Sequence, residues 1–117
     1  MPADGRAAED RALLFLQGRG LTLIARNWRC KAGELDLVMR DDDTVVVAEV
    51  RMRRRDDYGY PLETVDARKQ AKLVRATRLL LARRPELAEE PLRFDIVTLD
   101  GDGAIEWLKE AFDVRES

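Results

Sequence analysis

The sequence predicts one α/β domain with the element order α-β-β-β-α-β-β, in which a mixed central sheet packs against flanking helices. Three observations lead to this fold class: apolar and polar residues alternate from Glu34 to Arg40, a second β-rich run follows from Thr44 to Met52, and a long helical pattern ends at Pro85. A chain of 117 residues, 45% of them hydrophobic, is long enough for its own core. We therefore expect a single domain over residues 1–117, with 113–117 as a flexible tail.

The first third of the chain predicts a helix followed by a strand. Asp4 to Gln17 has a helical pattern that Asp4 can cap and that Gly18 and Gly20 end. Leu21 to Trp28 is apolar and β-branched enough for a strand, and Cys30 to Gly33 makes a turn. The alternating run described above then gives the second strand.

The second half of the chain predicts a long helix between two strands. Arg53 to Glu63 is a polar loop, and Thr64 can cap the helix that Pro85 ends. Leu92 to Leu99 predicts another strand, and Ala104 to Leu108 predicts a last strand or a short helix. The connection between the third and fourth strands therefore contains the long helix.

Composition narrows the chemistry that this chain can carry out. The absence of histidine excludes triads and zinc sites built on that residue, and leaves carboxylates, Lys, Arg or an oxygen-bound metal such as Mg²⁺ or Mn²⁺. Cys30 is the single cysteine, no apolar run reaches the ~20 residues of a membrane helix, and Met1 to Asp10 has no apolar signal core. These features predict a cytoplasmic protein with no membrane partner.

The hairpin of the second and third strands brings two carboxylates together. If a two- or four-residue loop centred on Asp42 and Asp43 joins the strands, one face is entirely apolar, which favours that register. Its pairs are Leu35 against Val50, Leu37 against Ala48 and Met39 against Val46. The other face then places Asp36 opposite Glu49, with their Cβ atoms ~4.5–5.5 Å apart.

This pair of acids is costly unless something neutralises it. Like charges at that spacing repel by about 1 kcal/mol in water and ~3 kcal/mol at an effective dielectric constant of about 20. A divalent cation, a shared proton or nearby cations would relieve the repulsion. The alternative is an ordinary exposed face on which Arg51 or Arg53 forms salt bridges with Asp36 and Glu49.

Positive charge is concentrated in one part of the chain. The net charge is −2, but Arg51 to Arg84 holds eleven Lys/Arg and four Asp/Glu, a net of +7. One arc of the long helix is basic: Arg68, Lys72, Arg75 and Arg83. A second basic cluster ends the acidic strand: Arg51, Arg53, Arg54 and Arg55. Phosphates would meet cations on both sides of the acidic pair, although a solvated helix face is the simpler explanation of the arc.

The motif Gly33-Glu34-Leu35-Asp36-Leu37, followed by Val47-Ala48-Glu49-Val50-Arg51 and Arg53, resembles the GEIDLI … FVEVKxR signature of the YraN family. This bacterial group is similar to archaeal Holliday-junction resolvases. The resemblance extends over nearly the whole chain. Further matching residues are Gly5, Glu9, Ala12, Arg26-Asn27-Trp28-Arg29, Gly59, Pro61, Lys69, Arg93-Phe94-Asp95 and Ala111-Phe112.

The resemblance implies a restriction-endonuclease-like, PD-(D/E)xK core. Asp36 and Glu49 would hold Mg²⁺ (or Mn²⁺) with help from the Val50 carbonyl, and Glu9 would approach as an additional acid. The family's catalytic lysine stands two residues after the glutamate, where this chain has Arg51. Arginine can bind phosphate but does not give up its proton. Lys69 and Lys31 are candidates for the lysine's role.

The function that the resemblance implies is a metal-dependent endonuclease acting on DNA, including branched or junction DNA. Two other hypotheses stay open: a catalytically weakened or inactive nucleic-acid-binding protein of the same fold, with Arg51 as the reason, and an assembly protein that kept the fold. The predicted contacts to nucleic acid are Arg53, Arg54, Arg55, Arg68, Lys72 and Arg75. Resolvase-type relatives often pair, so a homodimer is also an expectation.

Overall fold

The computed structural model of the chain describes residues 3–53 and 66–112, with side chains from Arg6 onward. The helices in these ranges are α1 (Ala3–Gly18), α2 (Ala67–Arg83) and α3 (Pro85–Ala88). The strands are β1 (Thr22–Cys30), β2 (Gly33–Asp41), β3 (Thr44–Arg53), β4 (Leu92–Asp100) and β5 (Ile105–Phe112). The predicted order is confirmed, with the one-turn α3 as an addition. No helix in these ranges is long and apolar enough to cross a membrane.

The five strands form one mixed sheet in the order β1-β2-β3-β4-β5. Pairing is antiparallel between β1 and β2, β2 and β3, and β4 and β5, whereas β3 and β4 are parallel. A parallel pair needs a crossover connection, and α2 lies in the connection between β3 and β4. The result is the predicted α/β class, consistent with a restriction-endonuclease-like fold.

Helix α1 packs on one face of the sheet. Ala8, Ala12 and Leu16 recur every four residues and form one buried stripe of the helix. Their partners come from the central strands: Leu37, Met39, Val46, Ala48, Val97 and Leu99. On the edge of this cluster Phe15 meets Trp107 of β5, with ring centroids 6.1 Å apart.

Helix α2 packs on the opposite face of the sheet. Its buried side is apolar and includes Leu73, Val74, Ala76 and Leu80. The strand residues in this second cluster are Leu35, Val38, Val45, Val47 and Phe94. Val45 and Val47 face α2 while Val46 and Ala48 face α1, as the two-residue period of a strand requires.

The predicted hairpin register is confirmed as far as the β2–β3 ladder extends. Asp42 and Asp43 form a two-residue loop, and Asp42 has a φ of 56°, which aspartate tolerates better than most residues. The ladder pairs Leu37 with Ala48, Val38 with Val47, Met39 with Val46, Arg40 with Val45 and Asp41 with Thr44. Leu35 does not follow the prediction, because it packs in the α2 cluster and not with Leu37 and Met39.

Several predicted boundaries are corrected. Helix α1 begins at Ala3, so Asp4 lies within it. The cap of α2 is Asp66, whose side chain accepts a hydrogen bond from the Lys69 backbone N–H at 2.8 Å. The last element is a strand, β5, and it is longer than predicted. Thr64, Arg54, Arg55 and the tail 113–117 lie outside the described residues.

Candidate metal and nucleic-acid site

The predicted acid pair lies where the ladder between β2 and β3 ends. Beyond Leu37 and Ala48, the Val50 backbone N–H donates a hydrogen bond to Asp36 Oδ2 at 2.9 Å. A side-chain oxygen thus accepts from this N–H of β3. The Asp36 and Glu49 carboxyl groups lie close enough together for a side-chain hydrogen bond with Glu49 to raise the pKa of Asp36, as expected if both residues face the same side of the hairpin.

The two carboxyl groups are shielded from solvent to different extents. Burial, followed by the hydrogen bond and negative charge of Glu49, raises the pKa of Asp36 from 3.8 to about 8, although the Val50 N–H lowers it. Glu49 is the more buried partner, with 7% of its surface exposed. At neutral pH and without a metal, the pair therefore retains a proton. A shared proton is one of the three ways in which such a pair persists.

Lys69 supplies a cation to this pair from the first turn of α2. Its Nζ lies 2.9 Å from Glu49 Oε2, while about half of its side chain is exposed. Burial lowers the pKa of Lys69, but the hydrogen bond and charge of Glu49 and the charge of Asp36 outweigh burial, so the net pKa is raised. The ammonium group therefore stays charged at neutral pH and acts as a cation, not as a base.

Arg51 lies on the same side of the strand as Glu49, two residues further along β3. It is half-buried and pairs with Thr98 of β4 in the parallel ladder. Its positive charge opposes the net rise in the pKa of Lys69. Two cations thus accompany the acid pair, one from β3 and one from α2. Lys31, the other candidate for the lysine role, instead lies in the β1–β2 turn.

Glu9 reaches this region from α1, as the resemblance implied. It is buried, with 5% exposed, and accepts a hydrogen bond from Asn27 Nδ2 at 2.7 Å. Its charge adds to the rise in the pKa of Asp36, after the larger effects of burial and of Glu49. Arg26 holds the same part of α1 through an ion pair with Asp10. The helix therefore brings a third carboxylate near the pair.

Asn27 is a site residue that the sequence reasoning missed. Its amide also donates to Glu34 Oε1 at 3.1 Å, so it bridges a carboxylate of α1 and one of β2. The register of β1 with β2 places Asn27 level with Asp36. Its φ is 50°, in the left-handed region that asparagine visits more readily than most residues. An asparagine amid strand-forming residues was the available signal, since asparagine is depleted in strands.

The pair fits a divalent cation of the oxygen-preferring type. Among the described residues, no three carboxylates or thiols lie close enough together to share an ion. Mg²⁺ does not need such a cluster, because it commonly binds one or two carboxylates and keeps several waters or substrate phosphates. Asp36 and Glu49, in direct contact and holding a displaceable proton, match that requirement. The Val50 carbonyl remains a predicted ligand.

Three of the six predicted nucleic-acid contacts lie on α2. Over its 17 residues α2 has six Lys/Arg and no Asp/Glu. Arg68, Lys72 and Arg75 are exposed on it, as predicted, while Arg53 ends β3 opposite Asp100. Arg83, also in the predicted basic arc, lies over the Trp28 ring at 5.5 Å. Helix α2 thus presents an almost purely positive face beside the acid pair.

A further buried acid, Asp95, has different surroundings. It is 1% exposed and accepts hydrogen bonds from Trp107 Nε1 at 2.9 Å and the Glu110 N–H at 3.0 Å. Arg93 joins it to Asp41 through two further ion pairs. These contacts tie β4 to β5 at an irregularity of their ladder. Asp95 is therefore a structural residue of the sheet.

The family described as "Uncharacterised protein family UPF0102" matches residues 8–99. The chain belongs to this family. The match covers α1 through most of β4, including Glu9, Asp36, Glu49 and Lys69, and confirms the YraN resemblance. A UPF0102 protein of Pseudomonas entomophila (strain L48) is 53% identical over 93% of this chain and 92% of its own length. Those of Pseudomonas putida (strain GB-1) and Ectopseudomonas mendocina (strain ymp) are 52% and 51% identical, covering 93% of this chain and 92% and 93% of their own.

Proposed function

We propose that this UPF0102 protein is a metal-dependent endonuclease that acts on DNA in the cytosol. The observation that carries the proposal is the contact between Asp36 and Glu49, two carboxyl groups held together on the sheet with the Lys69 ammonium 2.9 Å from one of them. A stabilising role alone does not account for a pair in which burial and like charge raise the pKa of Asp36 to about 8. A cation-dependent role accounts for both its geometry and its electrostatics.

In this proposal Asp36 and Glu49 hold Mg²⁺ or Mn²⁺. When bound, the metal supplies polarisation of the scissile phosphate and a more acidic water. The Lys69 ammonium, half exposed and fixed by Glu49, binds a phosphate oxygen and stabilises its negative charge. Arg51 offers a second, fork-shaped cation to the same phosphate. Because the raised pKa of Lys69 keeps it charged, its role here is to position and neutralise the phosphate.

Glu9 and Asn27 complete the site from the α1 side. The amide of Asn27 holds the Glu9 carboxylate near Asp36. Among the described residues, no hydrogen bond joins these two acids directly. Glu9 would thus add negative potential beside the acid pair that would hold the metal. Asn27 acts through Glu9 and is a positioning residue.

The second candidate function is DNA binding with weak or absent cleavage. One observation favours it specifically: Arg51 occupies the position of the family's lysine, and the nearby Lys69 is engaged by Glu49. Both cations still bind phosphate, but neither releases a proton readily. In this case the basic face of α2 would hold DNA while the acid pair stays protonated.

A cleavage panel tests the proposal. Labelled duplex, single-stranded and four-way-junction DNAs are incubated with the protein in Mn²⁺, Mg²⁺ or EDTA. Asp36→Asn and Glu49→Gln keep the size of each side chain, and Glu106→Gln on exposed β5 is the matched control. We expect metal-dependent cleavage that both site variants abolish and the control retains.

The opposite results are equally informative. Cleavage that survives in both site variants would mean that the activity belongs to a contaminant or to another site. Salt-sensitive binding without cleavage in either metal would replace the endonuclease with the binding protein. Preference for the four-way junction would support the proposed branched substrate, and equal cleavage of plain duplex would rule that preference out.

The resemblance to resolvases, which often pair, favours a homodimer, since a four-way junction presents two symmetry-related strands to be cut. We include pairing of two copies in the proposal. Light scattering coupled to size exclusion, with and without junction DNA, measures the mass of the species directly. A monomer under both conditions would remove pairing and leave the rest of the proposal intact.

A further inference from the structure

A second concave surface lies beside α2, separate from the acid pair. We call it the basic groove; its volume is about 630 Å³, and its lining comes from α2 and the β1–β2 turn. The lining residues are Lys31, Ala32, Lys72, Arg75, Arg78 and Leu79. Four of the six are cations, and two of them, Lys31 and Arg78, were not among the predicted nucleic-acid contacts.

The four cations of the basic groove have no carboxylate partner among residues 3–53 and 66–112. The charged side chains are all exposed. By contrast, Lys69 on the same helix pairs with Glu49. Four like charges around one concavity repel one another, in a chain whose net charge is −2. The charge pattern is complementary to a ligand that carries several negative charges.

The chemistry of the lining selects among anionic ligands. The volume falls within the range of small-molecule sites, but such sites bury their ligand among fixed polar groups, whereas these cations point from an open surface. The groove has an aliphatic part, formed by Ala32 and Leu79, and none of the described residues that line it is aromatic. The described lining therefore provides no platform on which single-stranded bases could stack. A duplex, which turns its bases inward and presents regularly spaced phosphates, fits this surface.

We propose that the basic groove binds the phosphodiester backbone of double-stranded DNA. The inference rests on the proposed function for its choice of DNA, and it deepens that function by placing the duplex. Lys72 is the groove cation nearest to Lys69 of the acid pair along α2: it lies three residues further on, ~4.5 Å along the helix axis and about 60° around it. At 3.4 Å per base pair, the groove therefore begins about one base pair from the acid pair. The substrate therefore carries a duplex arm that extends past the cleaved phosphate along α2.

The test measures binding without cleavage. A fluorescent 20-base-pair duplex is titrated with the full chain in EDTA, by anisotropy, over a series of salt concentrations. The groove variant is Lys31→Ala with Arg78→Ala, and the matched control is Arg6→Ala with Arg19→Ala, which removes two exposed cations on the α1 side. Both variants change the net charge equally, so a difference between them reports position and not total charge.

The expected result follows from counterion release. Each lost phosphate contact lowers the slope of log affinity against log salt by about 0.9 on duplex DNA, so two lost contacts lower it by about 1.8. Relative to 1 M salt, that corresponds to roughly 60-fold weaker binding at 0.1 M. The control is expected to bind like wild type. A groove variant that binds duplex no more weakly than the control overturns the proposal.

Two further readouts keep the outcomes distinct. An equal loss of affinity for a single strand of the same length overturns the assignment to duplex DNA. Intact metal-dependent cleavage with no groove effect means that the groove proposal fails while the endonuclease stands. A groove effect in EDTA with no cleavage in Mn²⁺ means that the groove proposal stands while the endonuclease proposal fails. Thermal unfolding of each variant confirms that these exposed substitutions leave the fold unchanged.

Discussion

Asp36 and Asp95 lie in the same sheet but are stabilised in opposite ways. Asp95 is almost completely buried, and Arg93, the Trp107 indole and a backbone N–H all donate to it. Asp36 is less buried, yet besides one backbone N–H its close partner is another acid, Glu49. The more buried acid thus has an arginine and two N–H donors around it, whereas burial and a neighbouring acid raise the pKa of the less buried one.

The difference separates a structural carboxylate from a site carboxylate. Both residues lie within the family match, so membership alone does not tell them apart. Asp95 has the donors that offset desolvation, whereas Asp36 is left with a raised pKa that a cation would relieve. If stability alone determined the surroundings of the two acids, we would expect Asp36 to have cationic and N–H donors as Asp95 has. Four predictions, from the largest expected effect to the smallest, test this distinction.

The largest effect is on unfolding free energy. Asp95→Ala leaves Arg93 and the Trp107 N–H without their buried acceptor, and we expect a loss of ~3–5 kcal/mol. Asp36→Asn replaces a carboxyl group that is kept protonated beside Glu49 with a neutral amide, and we expect it to leave the metal-free protein as stable as wild type or more so. Urea denaturation measures both. Equal destabilisation by the two variants would contradict the distinction.

The second prediction concerns pH. Because the folded-state pKa of Asp36 is raised to about 8, the folded protein holds this proton between pH 4 and 8 while the unfolded chain has lost it. The contribution of Asp36 to stability is therefore present at low pH and is lost as pH rises towards 8. We expect wild type to lose about 1–3 kcal/mol relative to Asp36→Asn between pH 5 and pH 8 without metal.

The pH experiment has a built-in metal test. A divalent cation competes with the shared proton, so it should stabilise wild type more at pH 8 than at pH 6, and Asp36→Asn should not respond. Urea or thermal unfolding at both pH values, with Mn²⁺ or EDTA, gives the comparison. A cation effect that is the same in wild type and variant would place binding elsewhere.

The third prediction concerns Asn27. Removing its amide frees Glu9 beside the acid pair, and we expect metal affinity to fall by about 10- to 100-fold, as for other residues that orient a metal site. Asn27→Gly accepts the φ of 50° without strain and tests the amide alone, while Asn27→Asp keeps the shape and adds a charge. Calorimetric titration with Mn²⁺ is the readout. Unchanged metal affinity in Asn27→Gly would reduce Asn27 to a backbone role.

The smallest expected effect is a gain. Arg51→Lys restores the lysine of the family signature, and we expect cleavage to rise several-fold, about 1 kcal/mol of barrier. Initial rates on the best DNA of the cleavage panel measure the change, with Arg53→Lys as the matched control on the same strand. Unchanged rates would show that Arg51 does not have the role of the family's lysine, and Lys69 would then be the leading candidate for that role.

The sequence predicted the centre of the site better than its surroundings. The pairing of Asp36 with Glu49 followed from a short hairpin and the two-residue period of a strand, both of which are local. Asn27 was missed because its role depends on where α1 packs and on the β1–β2 register. The ion pair of Lys69 needs a crossover that returns α2 to the sheet, which no local pattern specifies.

The remaining errors have similar causes. Leu35 has the correct parity for the α1 face but packs with α2. It lies two residues beyond the end of the β2–β3 ladder at Leu37, and it pairs with Trp28 of β1, which packs against the same cluster. Thr64 and Asp66 are both good caps, and propensity alone does not choose between two such residues in succession. The sequence predicted the basic arc of α2. The position of Lys31 beside this helix depends on the tertiary structure, which brings the β1–β2 turn next to α2.

The parallel pairing of β3 with β4 has a consequence for how the site is assembled during folding. Asp36 and Glu49 are 13 residues apart and belong to one hairpin, whereas β4 joins β3 only after the chain has crossed over through α2. Contacts that close long loops form slowly compared with local ones. We therefore expect the acid pair to come together before α2 brings Lys69 to it. In that interval a nascent hairpin carries two adjacent carboxyl groups without their lysine, and the speed with which it forms depends on the protons and divalent cations present in solution.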